Sequence, residues 1–393
     1  MARFVMANRH AGKSVPEKVA SRARMSDVLA GSFMTGSSLV GQHAPKDDDA
    51  RHLVLFEAEP HEVAARSREL PHDVMVEKEI HHHVGPFGHA PERESPSKAA
   101  ELAVRVESSP GREPVGGAEV NLFFKGFGFA RKVSAVTDGE GRAVLRFDGG
   151  LEPSAVVAMP PGGRWPMAVM NPTGDALVAC PLLPASAGHV GWWHGRVGVS
   201  AYDEGLGRGI SVGVVDTGVG PHPALDHVES VGAFIDGTVD ATGGRDAQMH
   251  GSHICGIIGG RPTRPQDFGG IAPGVSLSSA RIFPPGGTAT QVGIAHAMDE
   301  LSGRREVDLI NLSLGSDEGS EIAHDAIQHA LERGTLCICA AGNTAGNIMY
   351  PGAFPETVAV TALGIVGWGP PDSVPAMRAP RDRSRFGDDD LFL

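Results

Sequence analysis

The chain has 393 residues, room for about two or three domains, and its 41% hydrophobic content is ample for a sizeable core, which excludes a disordered protein. A formal charge of -13 at pH 7, with no Lys/Arg-rich run beyond pairs such as Arg304-Arg305, argues against nucleic-acid binding. Four cysteines (Cys180, Cys255, Cys337 and Cys339) are too few for a disulfide framework, and no stretch of about 18 apolar residues announces a membrane span.

The opening "MARFVMANRHAGKSVPEK" is broken by Pro16 before an apolar segment can form, so no secretory signal is visible and the cytoplasm is favoured over secretion. Residues 1–50 are polar and end in "KDDDA", the composition of a flexible leader with one short helix near Arg22 to Leu29. Residues 51–84, which open with "RHLVLFEAEPHEVAARSRELPHDVMVEKEI", read as strand, helix and strand in a small α+β unit. In the adjoining "IHHHV", successive strand residues alternate faces and cannot converge on one ion, so His81 to His83 are expected to be solvated.

From 100 to 170 short strands alternate with turn signals, as in a β-sandwich module. "TDGEG", with Gly139 and Gly141 free to take positive φ, predicts a hairpin between "RKVSAV" and "RAVLRF". After Gly209 the texture changes. The apolar strands "ISVGVVD", "VSLSSARIF", "VDLINLSLG", "TLCICAAGN" and "TVAVTAL" alternate with helical stretches, the pattern of an α/β domain with a parallel sheet covered on both faces. In such folds functional residues gather at the carboxyl ends of strands.

Three strands end in polar residues there. Asp216 closes "ISVGVVD", Asn343 follows "TLCICAA", and Ser313 to Gly315 follow "VDLINL"; His250 opens a helix with Ile254, Ile257 and Ile258 on an apolar stripe. A hydroxyl nucleophile needs an imidazole to take its proton, a carboxylate to orient that imidazole, and an amide to donate to the resulting oxyanion. Asp216, His250 and Asn343 supply the last three types.

With "VGVVDTGV", "HGSHICGIIGG" and "AAGN" in that order, residues 188–393 resemble a subtilisin-like serine peptidase of the subtilase family. The resemblance implies an α/β fold, a three-layer parallel-sheet catalytic domain. It implies Asp216 as orienting acid, His250 as base and Asn343 as oxyanion donor. It also places Ser313, Leu314 and Gly315 on the strand that pairs with substrate backbone, and Ala341 and Gly342 on the wall of the pocket before the scissile bond. His253 matches a structural position of the motif and is expected to pack inside. The 51–84 unit is similar to the inhibitory propeptide of that family. The 100–170 module resembles Ig-like or carboxypeptidase-regulatory-like domains.

The resemblance lacks one part. The family's nucleophile lies in a Gly-Thr-Ser-Met-Ala type motif, and after Asn343 only Ser373 and Ser384 remain, neither between a strand and an apolar helix. Loss of that serine costs on the order of 10⁶ in turnover, so the chain alone is expected to be inactive. The expectation is an incomplete catalytic domain, with the serine helix further along the polypeptide or on a second one, acting on peptide or protein substrates. The alternative is a non-catalytic peptide-binding pseudoprotease; a third option uses Ser373 or Ser384. The triad chemistry requires no cofactor. Structural calcium is not readable, since Asp47 to Asp49 and Asp388 to Asp390 lack the interleaved spacing of a calcium loop. Cys255 is read as a small residue packing on the sheet rather than as a reactive thiol.

Overall fold

The first strand, β1 (Ala2–Asn8), alternates two apolar sets, and both are buried. With β2 (Ser38–His43), β3 (Leu53–Ala58) and β4 (Val74–Lys78) it forms an antiparallel sheet in the order β2-β3-β1-β4, crossed by the helices α1 (Val15–Ala30) and α2 (Pro60–Arg66). Phe4, Met6, Val54 and Phe56 pack with Met25, Phe33 and Val63 on one face. Val5, Ala7, Leu53 and Leu55 enter a different core on the other. The expected flexible leader is therefore wrong: residues 2–43 carry two strands and a helix. The polar average hid an amphipathic helix whose start is fixed by Pro16 in its first turn and by Glu17 accepting the Ser14 N–H at 2.8 Å. A short strand β5 (His81–His82) comes after β4.

This computed structural model describes residues 1–44, 50–84, 99–126, 132–343, 346–378 and 391–392. The acidic runs Asp47 to Asp49 and Asp388 to Asp390, and Ser384, lie outside them. The chain forms two units, 1–85 with 186–360 and 86–185 with 361–393.

In the second unit, β6 (Ala99–Ser109), β7 (Glu119–Phe124), β8 (Lys132–Val136), β9 (Arg142–Asp148), β10 (Pro153–Met159), β11 (Met167–Met170) and β12 (Ala176–Pro181) make two sheets, β11-β10-β7-β8 and β12-β6-β9. Val104, Val106, Leu122, Phe124, Leu145, Val156 and Val178 fill the core between them. The expected hairpin does not form, because β8 and β9 belong to different sheets. The turn is tight all the same: Asp138 Oδ1 accepts the N–H groups of Glu140 and Arg142, each at 2.9 Å, and only Gly141 of the two glycines has positive φ. Residues after Val360 also join this unit rather than the one expected to hold residues 188–393. Val374 N–H donates to Pro166 O, Ala168 N–H donates to Asp372 O, and Trp368 packs on Trp165.

The first unit continues with α3 (Trp192–Arg196), β13 (Ser211–Asp216), β14 (Glu229–Ile235), β15 (Thr238–Asp240), α4 (His250–Gly259), β16 (Ser276–Arg281), β17 (Ala289–Thr290), α5 (Gln291–Asp299), β18 (Leu309–Leu312), α6 (Glu321–Glu332), β19 (Leu336–Ala340) and β20 (Thr357–Val360). The main sheet runs β15-β14-β16-β13-β18-β19-β20, parallel except for β15. Helix α4 packs on one face through Cys255 with Val212, Val214 and Leu277. Helices α5 and α6 cover the other through Ile294, Met298, Ile322 and Ile327, and the N-terminal sheet adds Val5, Leu53 and Leu55 to the same core. On the α4 side the edge strand is bare: Val358 is 43% and Val360 51% exposed.

Charges also join the N-terminal sheet to α5 and α6. The fully buried Arg51 guanidinium bonds Asp325 and, at 3.1 Å, Asp299. Asp325 in turn accepts the backbone N–H of His10 at 2.9 Å. Burial alone works against the Arg51 charge, but the two carboxylates more than offset it and raise its pKa. Burial would also raise Asp299, yet Arg51 and His329 hold that carboxyl well below its usual range. Removing one member of such a group strands buried charge, which costs about 3–5 kcal/mol. Arg51→Met should therefore lower unfolding free energy by about that amount in urea titration; an unchanged midpoint would mean that water already solvates these carboxylates.

Candidate active site

Strand β13 delivers Asp216 to the carboxyl edge of the sheet, where its side chain is wholly buried. Its parallel neighbours β18 and β19 end at the same edge and lead into Ser313–Gly315 and into Ala341–Asn343. Helix α4 brings His250 to Asp216: Nδ1 lies 2.8 Å from Oδ1 and 2.9 Å from Oδ2. That contact commits the Nδ1 proton to the carboxylate and leaves Nε2 for other work.

Two glycines permit the approach. A Cβ on Gly251 would meet Gly218 O at 2.2 Å, so the residue after His250 must lack one. Gly218 has φ of +104°, and its own Cβ would lie 2.5 Å from Gly244 O. Thr217 then locks the junction, because its hydroxyl accepts the Gly251 N–H at 2.8 Å and donates to Asp246 Oδ1 at 2.8 Å.

Asp246 is the residue that sequence reasoning missed. Its carboxylate accepts the backbone N–H groups of Gln248, Met249 and Ser252 at 2.8–2.9 Å, together with the Ser252 hydroxyl. It thus closes the start of α4, where Met249 sits at φ 67° without a side-chain cap of its own. The available signal was its place, just ahead of an apolar helix and six residues before a serine. Burial would raise the Asp246 carboxyl, but the bonds from Ser252, Gln248 and Thr217 hold it below the usual range.

Burial pushes the His250 proton off, and the bond and charge of Asp216, helped by Asp246, outweigh it, so His250 ends above 6.5. The imidazole is 24% exposed, so a substrate can reach it. A base that is buried enough to be oriented and charged easily enough to take a proton suits general acid–base work.

The remaining candidates divide. Gly315 exchanges two backbone bonds with His83, N–H to O at 2.9 and 3.0 Å, while β5 pairs with β17 through His82 and Ala289. Residues 81–83 therefore lie as a strand between β17 and Gly315, and the expectation that these histidines are solvated fails for His82, which is buried by that pairing. Leu314 is buried, and the Ser313 hydroxyl accepts from Asn311 Nδ2 at 3.0 Å. Ala341 is held by its N–H to Val360 O at 2.8 Å, and Asn343 lies exposed beyond β19. A second missed residue is Met349: a Cβ on Gly342 would come within 2.8 Å of its Cγ, and one on Gly315 within 3.1 Å of its Sδ.

His253 does not pack inside; it is exposed on the outer side of α4, as is Ile257 at 49%. No described element lies over that side of the helix. Cys255 is fully buried, and burial with the nearby Asp216 and Asp246 charges pushes its thiol up to about 12, which makes it a packing residue. Ser373 is also fully buried, and its hydroxyl accepts the Ala376 N–H, so it is no accessible nucleophile.

Residues 207–373 match the model of the subtilase family, Peptidase_S8. Subtilisin Savinase of Lederbergia lenta is 32% identical over 176 residues, covering 44% of this chain and 63% of that protein. M-protease of Shouchella clausii (strain KSM-K16) is 32% identical over 196 residues, 49% of this chain and 50% of that protein. The minor extracellular protease Epr of Bacillus subtilis (strain 168) is 31% identical over 165 residues, 41% of this chain and 25% of that protein. By sequence this region is subtilisin-like, and the chain spans less than two thirds of each relative.

The Asp216–His250 pair makes a titration test. Since the folded imidazole binds its proton beyond the ordinary 6.5, the pair stabilises the fold below that pH, and the contribution is lost as pH rises through the folded value. In Asp216→Asn, burial acts with little to oppose it, so the His250 pKa measured by NMR should fall below 6.5. An unmoved titration would show that Asp216 does not hold the ring in solution.

Proposed function

We propose that this chain carries the acid–base half of a serine endopeptidase site that cleaves peptide bonds. The observation that carries the reading is the two-oxygen grip of buried Asp216 on His250 Nδ1, at the sheet edge where β18 leads into Gly315. In the proposed reaction His250 Nε2 takes the proton of a serine hydroxyl, Asp216 steadies the imidazolium, and Asn343 donates to the oxyanion. Serine attack on the scissile carbonyl forms an acyl-enzyme, and the proton held on His250 passes to the leaving amine. Ser313, Leu314 and Gly315 would bind substrate backbone.

The serine would come from residues outside these 393, on the same polypeptide or on another. The bare apolar surface at Val358 and Val360, on the side of the sheet that carries α4, suits a helix delivered there.

Residues 1–85 are proposed to act as an inhibitory propeptide. Supporting this, 81–83 occupy the groove between β17 and Gly315 by main-chain pairing, the mode in which an extended peptide binds a strand edge. Glu77 anchors the unit by accepting the Glu321 N–H at 2.8 Å and the Ser320 hydroxyl at the start of α6. The two-sheet module of the second unit is proposed as an accessory β-sandwich.

In the native-source polypeptide, His250→Ala should lower peptide hydrolysis on the order of 10⁶-fold, while residues 1–393 alone give no turnover. Native material that binds peptide at micromolar strength yet neither hydrolyses it nor reacts with a fluorophosphonate would establish the non-catalytic binding protein instead.

Met349 adds a specificity expectation. If Ala341 and Gly342 wall the pocket before the scissile bond, the thioether narrows it, and small residues are preferred there. In the native-source polypeptide, Met349→Gly should then raise hydrolysis of peptides with a Phe at that position at least tenfold over those with Ala; an unchanged ratio places Met349 outside the pocket.

A further inference from the structure

A cluster apart from the Asp–His pair lies where the N-terminal sheet meets the helices of the catalytic sheet. His10 follows β1, Asp299 closes α5, and His329 lies in the last turn of α6. One ligand atom from each falls within 4.8 Å of the others, and this is the one such group of three among the described residues. The rings of His10 and His329 meet edge to face at 5.3 Å.

What marks the cluster as a site is unspent donor capacity. His10 is fully buried, and neither its Nδ1 nor its Nε2 has a hydrogen-bond partner. His329, 3% exposed, accepts from the Lys18 ammonium at Nε2 at 2.8 Å, while its Nδ1 has no hydrogen bond and lies 3.6 Å from Asp299 Oδ1; a neutral ring has one lone-pair nitrogen, so an ion takes it by displacing Lys18. Asp299 Oδ1 is only loosely held, 3.4 Å from an Arg51 nitrogen. Leaving buried imidazole nitrogens unmade costs about 1–3 kcal/mol for each group, a cost that a ligand would remove.

We propose that His10, Asp299 and His329 bind one divalent transition-metal ion of the zinc class, with the fourth position open to water, and that the ion ties the N-terminal unit to α5 and α6. Two imidazoles and one carboxylate suit Zn²⁺ or Co²⁺. Calcium and magnesium are excluded by the donor set, which offers too few oxygens. Arg51 and Lys18 oppose a dication. Asp299 and Asp325 already balance Arg51, which leaves Lys18 as the main competitor.

The test uses the full 393-residue chain, stripped with chelator and titrated with Co²⁺, whose tetrahedral complexes absorb in the visible. One equivalent should bind with that absorption and be displaced by Zn²⁺. His10→Ala and His329→Ala should each weaken binding at least tenfold, Lys18→Met should strengthen it, and His81→Ala should leave it unchanged. The proposal is overturned if the wild-type chain gives no visible band, a result independent of whether any variant folds. It is overturned equally if the band survives in His10→Ala and vanishes in His81→Ala, which would assign the ion to the triple-histidine strand.

Discussion

The close approach of Gly251 to the carbonyl of Gly218 is the contact on which the site depends. The Asp216 carboxylate is buried at a strand end and cannot travel, so the imidazole must be brought to it by the first turn of α4. That turn can settle only where no Cβ intervenes. Displacing the helix by about an ångström would stretch both Nδ1 contacts beyond hydrogen-bonding range. Thr217 and Asp246 complete the constraint by tying the strand end, the following loop and the helix start into one polar network. The orientation of the imidazole is thus set by backbone packing.

This division explains what the sequence made legible. Asp216 and His250 stand in short local patterns, Asp-Thr-Gly and His-Gly-Ser-His, whose glycines and hydroxyls are the very groups that make the approach possible. The alternating apolar strands of the main sheet were equally readable, since burial on both faces leaves few other options. Asp246 was not, because an aspartate that serves backbone N–H groups looks the same as any loop aspartate. Met349 lies seven residues after Gly342 but far along the chain from Gly315, and only the folded sheet edge brings the three together.

The misreadings have a similar origin. "TDGEG" forms a tight turn as expected, but a turn does not decide whether the strands it joins pair with each other or part into two sheets; the facing core does. The first fifty residues looked disordered because α1 exposes a charged face and β1 is only seven residues long. Their order comes from long-range burial, Val5 and Ala7 against the helices of the main parallel sheet, which no local average registers. His253 failed in the opposite direction. The motif position is local, but packing there needs an element over the outer side of α4.

Two kinds of attachment hold the N-terminal sheet to the main parallel sheet, and they do different jobs. Main-chain pairing of 81–83 with β17 and Gly315 is tolerant of side chains and could be satisfied equally well after a slip of two residues. The ionic contacts admit no such slip. Arg51 must reach Asp299 and Asp325 together, and Glu77 must meet the start of α6, or carboxylates are left buried without partners. Strand pairing therefore supplies contact area, and the buried charges select the register. That register decides which residues of the 81–84 segment lie beside Gly315. A unit held by pairing alone would present a mixture of registers to the groove; one held by Arg51 and Glu77 presents His83.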